Sequence, residues 1–95
     1  MVEPNGLKFS KANINTIYGT AVRLPLIATY NENPVAICES DITFELSSSS
    51  AGAVEAANNG FVFIGSKASG LKNVTITAKI TRDYSISASI KVAMY

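Results

Sequence analysis

The sequence contains no histidine and a single cysteine, and these two scarcities exclude several kinds of chemistry. Without histidine the chain cannot form a Ser-His-Asp or Cys-His nucleophile system, and it has no imidazole base that titrates near neutral pH. A four-ligand zinc site within one chain is excluded as well. A lone cysteine has no internal disulfide partner, so we interpret Cys38 as a small hydrophobic residue. We therefore predict that the protein is not an enzyme and has no catalytic, cofactor-binding or metal-ligating residue and no cofactor.

The sequence also lacks an excess of charge of one sign. Eight Lys and Arg stand against seven Asp and Glu, which gives a net charge of +1. Nucleic-acid binders carry a basic footprint, so we expect no nucleic-acid partner. The longest apolar runs, such as residues 61–64, are far shorter than the roughly 20 residues of a membrane span, so we expect no membrane insertion. Positions 1–6 lack the basic and apolar regions of a signal peptide, and we expect any export signal to lie outside these residues.

What the sequence does contain is enough apolar residue for one folded domain. Its 95 residues are 47% hydrophobic, which is sufficient for a single core. Within residues 74–80 and again within 84–92, apolar side chains alternate with Thr, Ser and Lys, and this period of two is typical of half-buried strands. The polar break at 81–83 predicts that the two strands form a β-hairpin.

Shorter patterns predict an all-β fold for the remainder. Further strands are expected at 21–30, 42–46 and 61–64. Residues 7–10 and 14–18 are expected to form one split strand or two short ones, residues 35–38 a strand or an extended connection, and residues 54–57 a strand or a short helical turn. Pro25 cannot donate to a ladder and indicates an edge or bulge. Turns are expected at 47–50, 58–60 and 65–70. About seven strands at this spacing indicate an antiparallel sandwich or a small barrel. The predicted core residues are Phe9, Leu24, Leu26, Phe44, Val62, Ile76, Ile86 and Ile90.

Three segments of the chain carry a family resemblance. They are Gly19-Thr20-Ala21-Val22-Arg23-Leu24 leading into Ala28-Thr29-Tyr30; Ile42-Thr43-Phe44-Glu45-Leu46-Ser47-Ser48 followed by Ala53-Val54 and Asn59-Gly60-Phe61-Val62; and Gly70 with Val74-Thr75-Ile76-Thr77-Ala78 and Ala88-Ser89-Ile90-Lys91-Val92. In this order they resemble the bacterial immunoglobulin-like domain of group 2, the Big2 type. The resemblance implies an all-β, immunoglobulin-like antiparallel β-sandwich of about seven strands. It also implies that residues 1–95 are a single module excised from a larger protein.

Two positions depart from the family pattern. Phe44 stands where the family usually has a tryptophan, and we expect it to be nearly fully buried and to touch both sheets. The loop 65–73 is longer than usual before the strand that follows it, which leaves the local register open.

The resemblance implies a non-catalytic function, because the family has no shared catalytic residues. It predicts a structural or adhesive module of a bacterial cell-surface or secreted protein, located outside the cell, that spaces or presents neighbouring domains. Its partners would be those neighbouring domains and a cell-surface glycan or protein. The alternatives are a carbohydrate-binding accessory module of an extracellular glycan-active enzyme and a surface domain of a phage virion or tail.

Two sets of side chains are candidates for a specific binding site, one for calcium and one for a sugar. Glu39, Asp41 and Glu45 could supply hard oxygen ligands to calcium, although a solvated outer face is the simpler interpretation. Exposed aromatic rings could stack on sugars, and the candidates for such a platform are Tyr18, Tyr30, Tyr84 and Tyr95. The Asn73-Val74-Thr75 sequon at a strand start is interpreted as accidental.

Overall fold

Ten β-strands make up most of the described part of the chain, and no α-helix occurs in it. The computed structural model describes residues 4–37, 39–48, 50–57 and 60–95. The strands are β1 (Gly6–Phe9), β2 (Asn13–Thr16), β3 (Ala21–Arg23), β4 (Leu26–Tyr30), β5 (Asn33–Val35), β6 (Ile42–Leu46), β7 (Gly52–Ala57), β8 (Gly60–Gly65), β9 (Asn73–Ile80) and β10 (Asp83–Met94). Short 3₁₀ turns occupy Glu39–Asp41 and Lys67–Ser69. In this part of the chain no helix is long and apolar enough to cross a bilayer.

The strands form two layers. One layer has the order β2-β10-β9-β6, and the other contains β1-β4-β5 and β3-β8-β7. All neighbours are antiparallel except β2, which runs parallel to β10 with Ile14 opposite Val92. Because β3 and β4 are consecutive parts of one extended segment, the two small sheets belong to one layer. This arrangement confirms the predicted all-β sandwich over the small barrel.

The strand predicted at 21–30 is divided at Pro25. The Leu24 amide donates to the Phe61 carbonyl at 2.9 Å, whereas the Pro25 carbonyl accepts from the Ser10 amide at 2.9 Å. Proline has no amide hydrogen, so the ladder to β8 ends here and the ladder to β1 begins. This division, the separation of β1 from β2 and the short β5 raise the count of described strands from about seven to ten.

The core is formed by the apolar side chains that alternate with polar ones along the strands. The sequence predicted this alternation for β9 and β10. Val74, Ile76, Ala78 and Ile80 face inward, and each is at most 2% exposed. Of the predicted core residues, Leu24, Leu26, Ile76 and Ile90 are buried, and Phe9, Phe44 and Ile86 are partly buried against that core. The expectation of near-complete burial for Phe44 is therefore wrong, since it lies on the edge strand β6.

The prediction of Val62 as a core residue is also wrong. Its neighbours Phe61 and Phe63 turn inward and are 5% and 0% exposed, so the pleat places Val62 on the outer face. Residues 61–64 are apolar on both faces, and such a run contains no alternation from which the inward face can be assigned.

The segment that could have been a short helical turn is the strand β7. It pairs antiparallel with β8 from Gly52 opposite Gly65 to Ala57 opposite Gly60, so the two strands form a hairpin. Residues 58 and 59 themselves lie outside the described residues, and so does Cys38. Gly52 is required for packing, because a Cβ there would overlap the Ile64 carbonyl oxygen and the Phe63 ring.

Candidate functional site

The acidic residues considered for calcium do not act as one group. Asp41 ends a 3₁₀ turn, and its carbonyl accepts a hydrogen bond from the Thr81 amide at 2.8 Å. Glu45 lies further along β6, and its Oε2 is 2.8 Å from Lys79 Nζ. Glu39 is described only by its backbone. Among the described residues, no three His, Cys, Asp or Glu side chains are close enough to hold a metal ion.

The four candidate tyrosines are divided between the two ends of the sandwich. Tyr18 and Tyr95 lie together at one end, where the Tyr18 amide donates to the Tyr95 carbonyl at 3.1 Å. Tyr84 lies at the start of β10, the opposite end of a strand 12 residues long. Tyr30 lies at that same end, at the end of β4. Four rings separated in this way cannot form one stacking platform for a sugar.

The tyrosines also differ in the exposure of their side chains and in the contacts that they make. Tyr18 is half-buried, and its hydroxyl donates to the Leu71 carbonyl, which holds the loop before β9. Tyr30, Tyr84 and Tyr95 are 42%, 53% and 70% exposed. Lys79 Nζ lies 5.3 Å from the centre of the Tyr84 ring while it also binds Glu45, so one ammonium group joins a carboxylate and an aromatic face.

A polar surface covers the outside of the β2-β10-β9-β6 layer. We call it the polar face, and its described members are Asn13, Asn15, Thr43, Glu45, Thr75, Thr77, Lys79, Ser87, Ser89 and Lys91. Hydroxyl groups bond to one another across its strands, with Thr77 Oγ1 and Ser89 Oγ 3.0 Å apart. Two shallow hollows on this face share Thr75 and Lys91. Hydroxyl, amide and ammonium groups of this kind can bind a hydroxyl-rich ligand, but they include no activated nucleophile.

Sequence reasoning did not identify the polar face as one surface. Its signal was present in the polar halves of the two alternating runs. However, the patterns alone did not show that β2 and β6 extend the same sheet on either side of the hairpin.

The pKa of Asp83 is lowered, which is the opposite of what a general acid near neutral pH needs. Its Oδ1 accepts hydrogen bonds from the Ser85 hydroxyl at 2.6 Å and from the Ser85 amide at 3.0 Å. These bonds stabilise the carboxylate and lower the pKa of Asp83, the hydroxyl contributing most. A general acid near neutral pH needs a raised pKa. The two bonds instead fix the backbone at the start of β10, directly after its turn with β9.

Comparisons with known proteins add no assignment to this geometry. A scan against protein-family models and a search of curated proteins find no match to this chain.

Proposed function

We propose that this chain is a non-catalytic structural and adhesive module of a bacterial cell-surface or secreted protein, and that it spaces or presents neighbouring domains. The observation that carries this proposal is the position of the two chain ends. Pro4 lies beside the turn between β9 and β10, because the Arg82 guanidinium donates to its carbonyl. Tyr95 lies at the far end of β10, and the longest dimension of the domain is 39 Å.

Both ends of the described chain are fastened to the sandwich. At one end Asn5 and Asn31 exchange side-chain and backbone hydrogen bonds of 3.1–3.2 Å. At the other, the Tyr95 amide donates to the Thr16 carbonyl at 3.1 Å. The sandwich therefore fixes the distance between Asn5 and Tyr95, and this distance would set the spacing of domains attached close to these two residues.

The parallel pair β2 and β10 supports a load-bearing role. A force that separates the two chain ends pulls β2 and β10 past each other along their length. The hydrogen bonds of residues 13–16 with residues 91–94 are then loaded together rather than one after another. Resistance to such a force is governed by the unfolding rate under load rather than by equilibrium stability.

The proposal is tested by attaching one reporter domain to each end and measuring their separation by single-pair fluorescence transfer. We expect one narrow distance distribution that persists until the domain unfolds. A chain of 95 residues that acted as a flexible tether would instead give a broad distribution, with a mean near 5–6 Å times the square root of its length. A broad distribution under native conditions contradicts the proposal. Antibody labelling of intact producing cells tests the surface location separately.

The polar face favours a second candidate, a carbohydrate-binding accessory module of an extracellular glycan-active enzyme. Its hydroxyl, amide and lysine groups can bind sugar hydroxyls, and the half-exposed Tyr84 ring lies at one end of it. A glycan array with the intact chain tests this function. Binding that is lost in Tyr84→Ala and retained in Tyr30→Ala supports the second candidate, and the absence of binding to any glycan contradicts it.

A further inference from the structure

One row of polar side chains crosses all four strands of the β2-β10-β9-β6 layer. Asn13 of β2 lies opposite Lys91 of β10, and Lys91 lies opposite Thr75 of β9. Ser47 directly follows β6, where its amide donates to the Thr75 carbonyl at 2.9 Å and its hydroxyl oxygen accepts from the Thr75 amide at 3.0 Å. We call these four residues the lysine row. Neighbouring strands are about 4.8 Å apart, so the row is roughly 14 Å long.

The side chains of the lysine row point away from the core. Val74 and Val92 are 2% and 0% exposed. The pleat therefore turns Thr75 and Lys91, which lie beside them along their strands, to the outside. The threonine is half-buried, and the other three members of the row are exposed. The serine hydroxyl accepts a backbone amide through its oxygen, so its hydrogen remains available to a ligand.

Two hollows open along the lysine row, and Thr75 and Lys91 line both of them. One, of about 210 Å³, lies toward β6 and is lined also by Ser47 and Asn73. The other, of about 340 Å³, lies toward β2 and is lined also by Asn13. Its volume is at the lower end of the ~300–1,000 Å³ of ligand pockets. The lysine therefore stands between two places in which a group of a ligand can sit.

The Lys91 ammonium has no hydrogen-bond or ion-pair partner among the described residues. The ion pair of the polar face joins Lys79 to Glu45 at 2.8 Å. Glu45 lies opposite Thr77, between the lysine row and Lys79, and its bond to Lys79 draws the carboxylate away from the row. The positive charge of Lys91 is therefore available to a ligand.

The remaining charges leave this half of the polar face electropositive. Of the four other described carboxylates, two belong to the other layer and two lie at the opposite end of the β9–β10 hairpin; they are Glu32, Glu55, Asp41 and Asp83. Two further lysines adjoin the row instead. Lys11 precedes Ala12, whose carbonyl accepts from the Lys91 amide at 3.1 Å. Lys72 directly precedes β9, and its side chain is exposed.

The groups of the lysine row match a hydroxyl-rich ligand that carries a negative charge. Amide and hydroxyl groups bond to sugar hydroxyls, and an ammonium group forms a charge-assisted bond with a carboxylate. The row has no aromatic ring on which an apolar ligand could pack, and lysine and serine are depleted from the cores of protein interfaces. One lysine row beside an acidic residue is also far from the basic footprint that a nucleic acid requires.

We propose that the lysine row binds an acidic polysaccharide in which sugars that carry a carboxylate alternate with neutral sugars. The carboxylate bonds to the Lys91 ammonium, and hydroxyls of the neutral sugars on either side bond to Asn13 and Ser47. One ammonium flanked by uncharged groups fits this alternation. The inference rests on the adhesive part of the proposed function and names its ligand. It uses a different site from the second candidate, because Tyr84 lies seven residues before Lys91 on β10, roughly 20 Å away at about 3.3 Å per residue.

The test is a nuclear magnetic resonance titration of the intact, isotope-labelled chain with a tetrasaccharide of alternating glucuronate and N-acetylglucosamine. We expect saturable amide shift changes at residues 13, 47, 75 and 91. The neutral tetramer of N-acetylglucosamine has the same length without the charge, and it should bind about tenfold more weakly because it lacks the charge-assisted bond. Binding of the acidic tetrasaccharide should weaken in about 1 M salt, where the Debye length is about 3 Å.

Matched variants separate the charge from the other groups of the row. Lys91→Met keeps an apolar stem and should lose the preference for the acidic tetrasaccharide, whereas Lys91→Arg should retain it. Asn13→Ala should weaken binding of both tetrasaccharides to the same degree. Lys8→Met removes an exposed lysine from β1 in the other layer and should leave both affinities unchanged, as should Tyr84→Ala. Thermal melts confirm that each variant is folded.

Several results would overturn the inference. They are the absence of shift changes up to millimolar tetrasaccharide, equal affinity for the two tetrasaccharides, shift changes confined to another surface, and an unchanged preference in Lys91→Met. Glucuronate alone or inorganic phosphate that binds as tightly as the tetrasaccharide would also overturn it, because this would show an adventitious ion only. None of these results affects the distance measurement that tests the proposed function. A narrow distance distribution without glycan binding would retain the spacing module and remove only its proposed ligand.

Discussion

Removing the Phe63 ring should destabilise the domain more than removing the Phe44 ring, although the sequence favours Phe44 as the central aromatic residue. Phe63 is 0% exposed, and a Cβ added at Gly52 would lie 2.9 Å from its ring. Backbone packed this closely around the ring cannot collapse to fill the space. Phe63→Ala should therefore lower the free energy of unfolding by about 3–5 kcal/mol, as expected for a fully buried aromatic residue.

Phe44 makes a smaller contribution because it lies at the edge of the core. Its ring meets Phe61 of the opposite layer edge-on, with centroids 4.6 Å apart, which confirms that it touches both sheets. Partial burial gives roughly half the full burial cost, and loss of the aromatic pair adds about 0.5–1.5 kcal/mol. We expect Phe44→Ala to cost about 2–4 kcal/mol, less than Phe63→Ala. Glu45→Ala removes only an ion pair whose carboxylate side chain is 60% exposed, and it should cost under about 1 kcal/mol.

Guanidinium chloride melts of the three variants provide the assay, with the slope of the transition compared to exclude a change in the unfolded state. A domain of this size is stable by only about 5–15 kcal/mol, so a loss of 3–5 kcal/mol moves the midpoint visibly. If Phe44→Ala proves as damaging as Phe63→Ala, the core is centred on β6 and the reasoning is refuted. If Glu45→Ala is the worse of the two β6 variants, the inward and outward faces of that strand are exchanged.

Three further predictions concern the turns and close contacts. Gly52→Ala places a methyl group against a backbone carbonyl of β8 and should lower the free energy of unfolding by about 1–3 kcal/mol, measured as a lower melting temperature. Tyr18→Phe removes the hydroxyl that donates to the Leu71 carbonyl and should cost about 1 kcal/mol; a melt unchanged from the original chain would contradict that role. The carboxyl of Asp83 should titrate below the usual aspartate pKa in a carbon-detected pH series, and Ser85→Ala should raise its pKa part of the way back. Because the pKa is lowered on folding, the stability that Asp83 contributes is present above the usual pKa and is lost as the pH falls through the lowered one.

The predictions from sequence agree best with the structure where the alternation of apolar and polar side chains allows only one choice of inward face. In β9 and β10 each residue is either apolar or polar, and only one register buries Ile76 and Ile90 together. The pattern fails at Val62, where every neighbour is apolar. It also fails to rank Phe44 and Phe63, because burial depends on which strand lies at the edge of its sheet.

The sequence did not predict that the segments around Ile17 and Tyr95 lie next to each other. Ile17 and Tyr95 are 78 positions apart, and they come together because the chain leaves the sheet of β1 and places β2 beside β10. Local patterns predicted one split strand or two short strands over residues 7–18 but did not indicate that β1 and β2 belong to different sheets.

The pairing of β2 with β10 also determines when β2 can join its sheet during synthesis of the chain. Residues 13–16 obtain their sheet partner only when residues 91–94 exist, so they remain without it until almost the whole domain has been made. The hairpin β7–β8 needs only local sequence that is made well before residue 91, and it can form earlier. Such a delayed, non-local closure makes folding slow relative to a helical domain of equal length. A ribosome that pauses before residue 91 would therefore hold a nearly complete module in which β2 has not yet met its partner residues in β10.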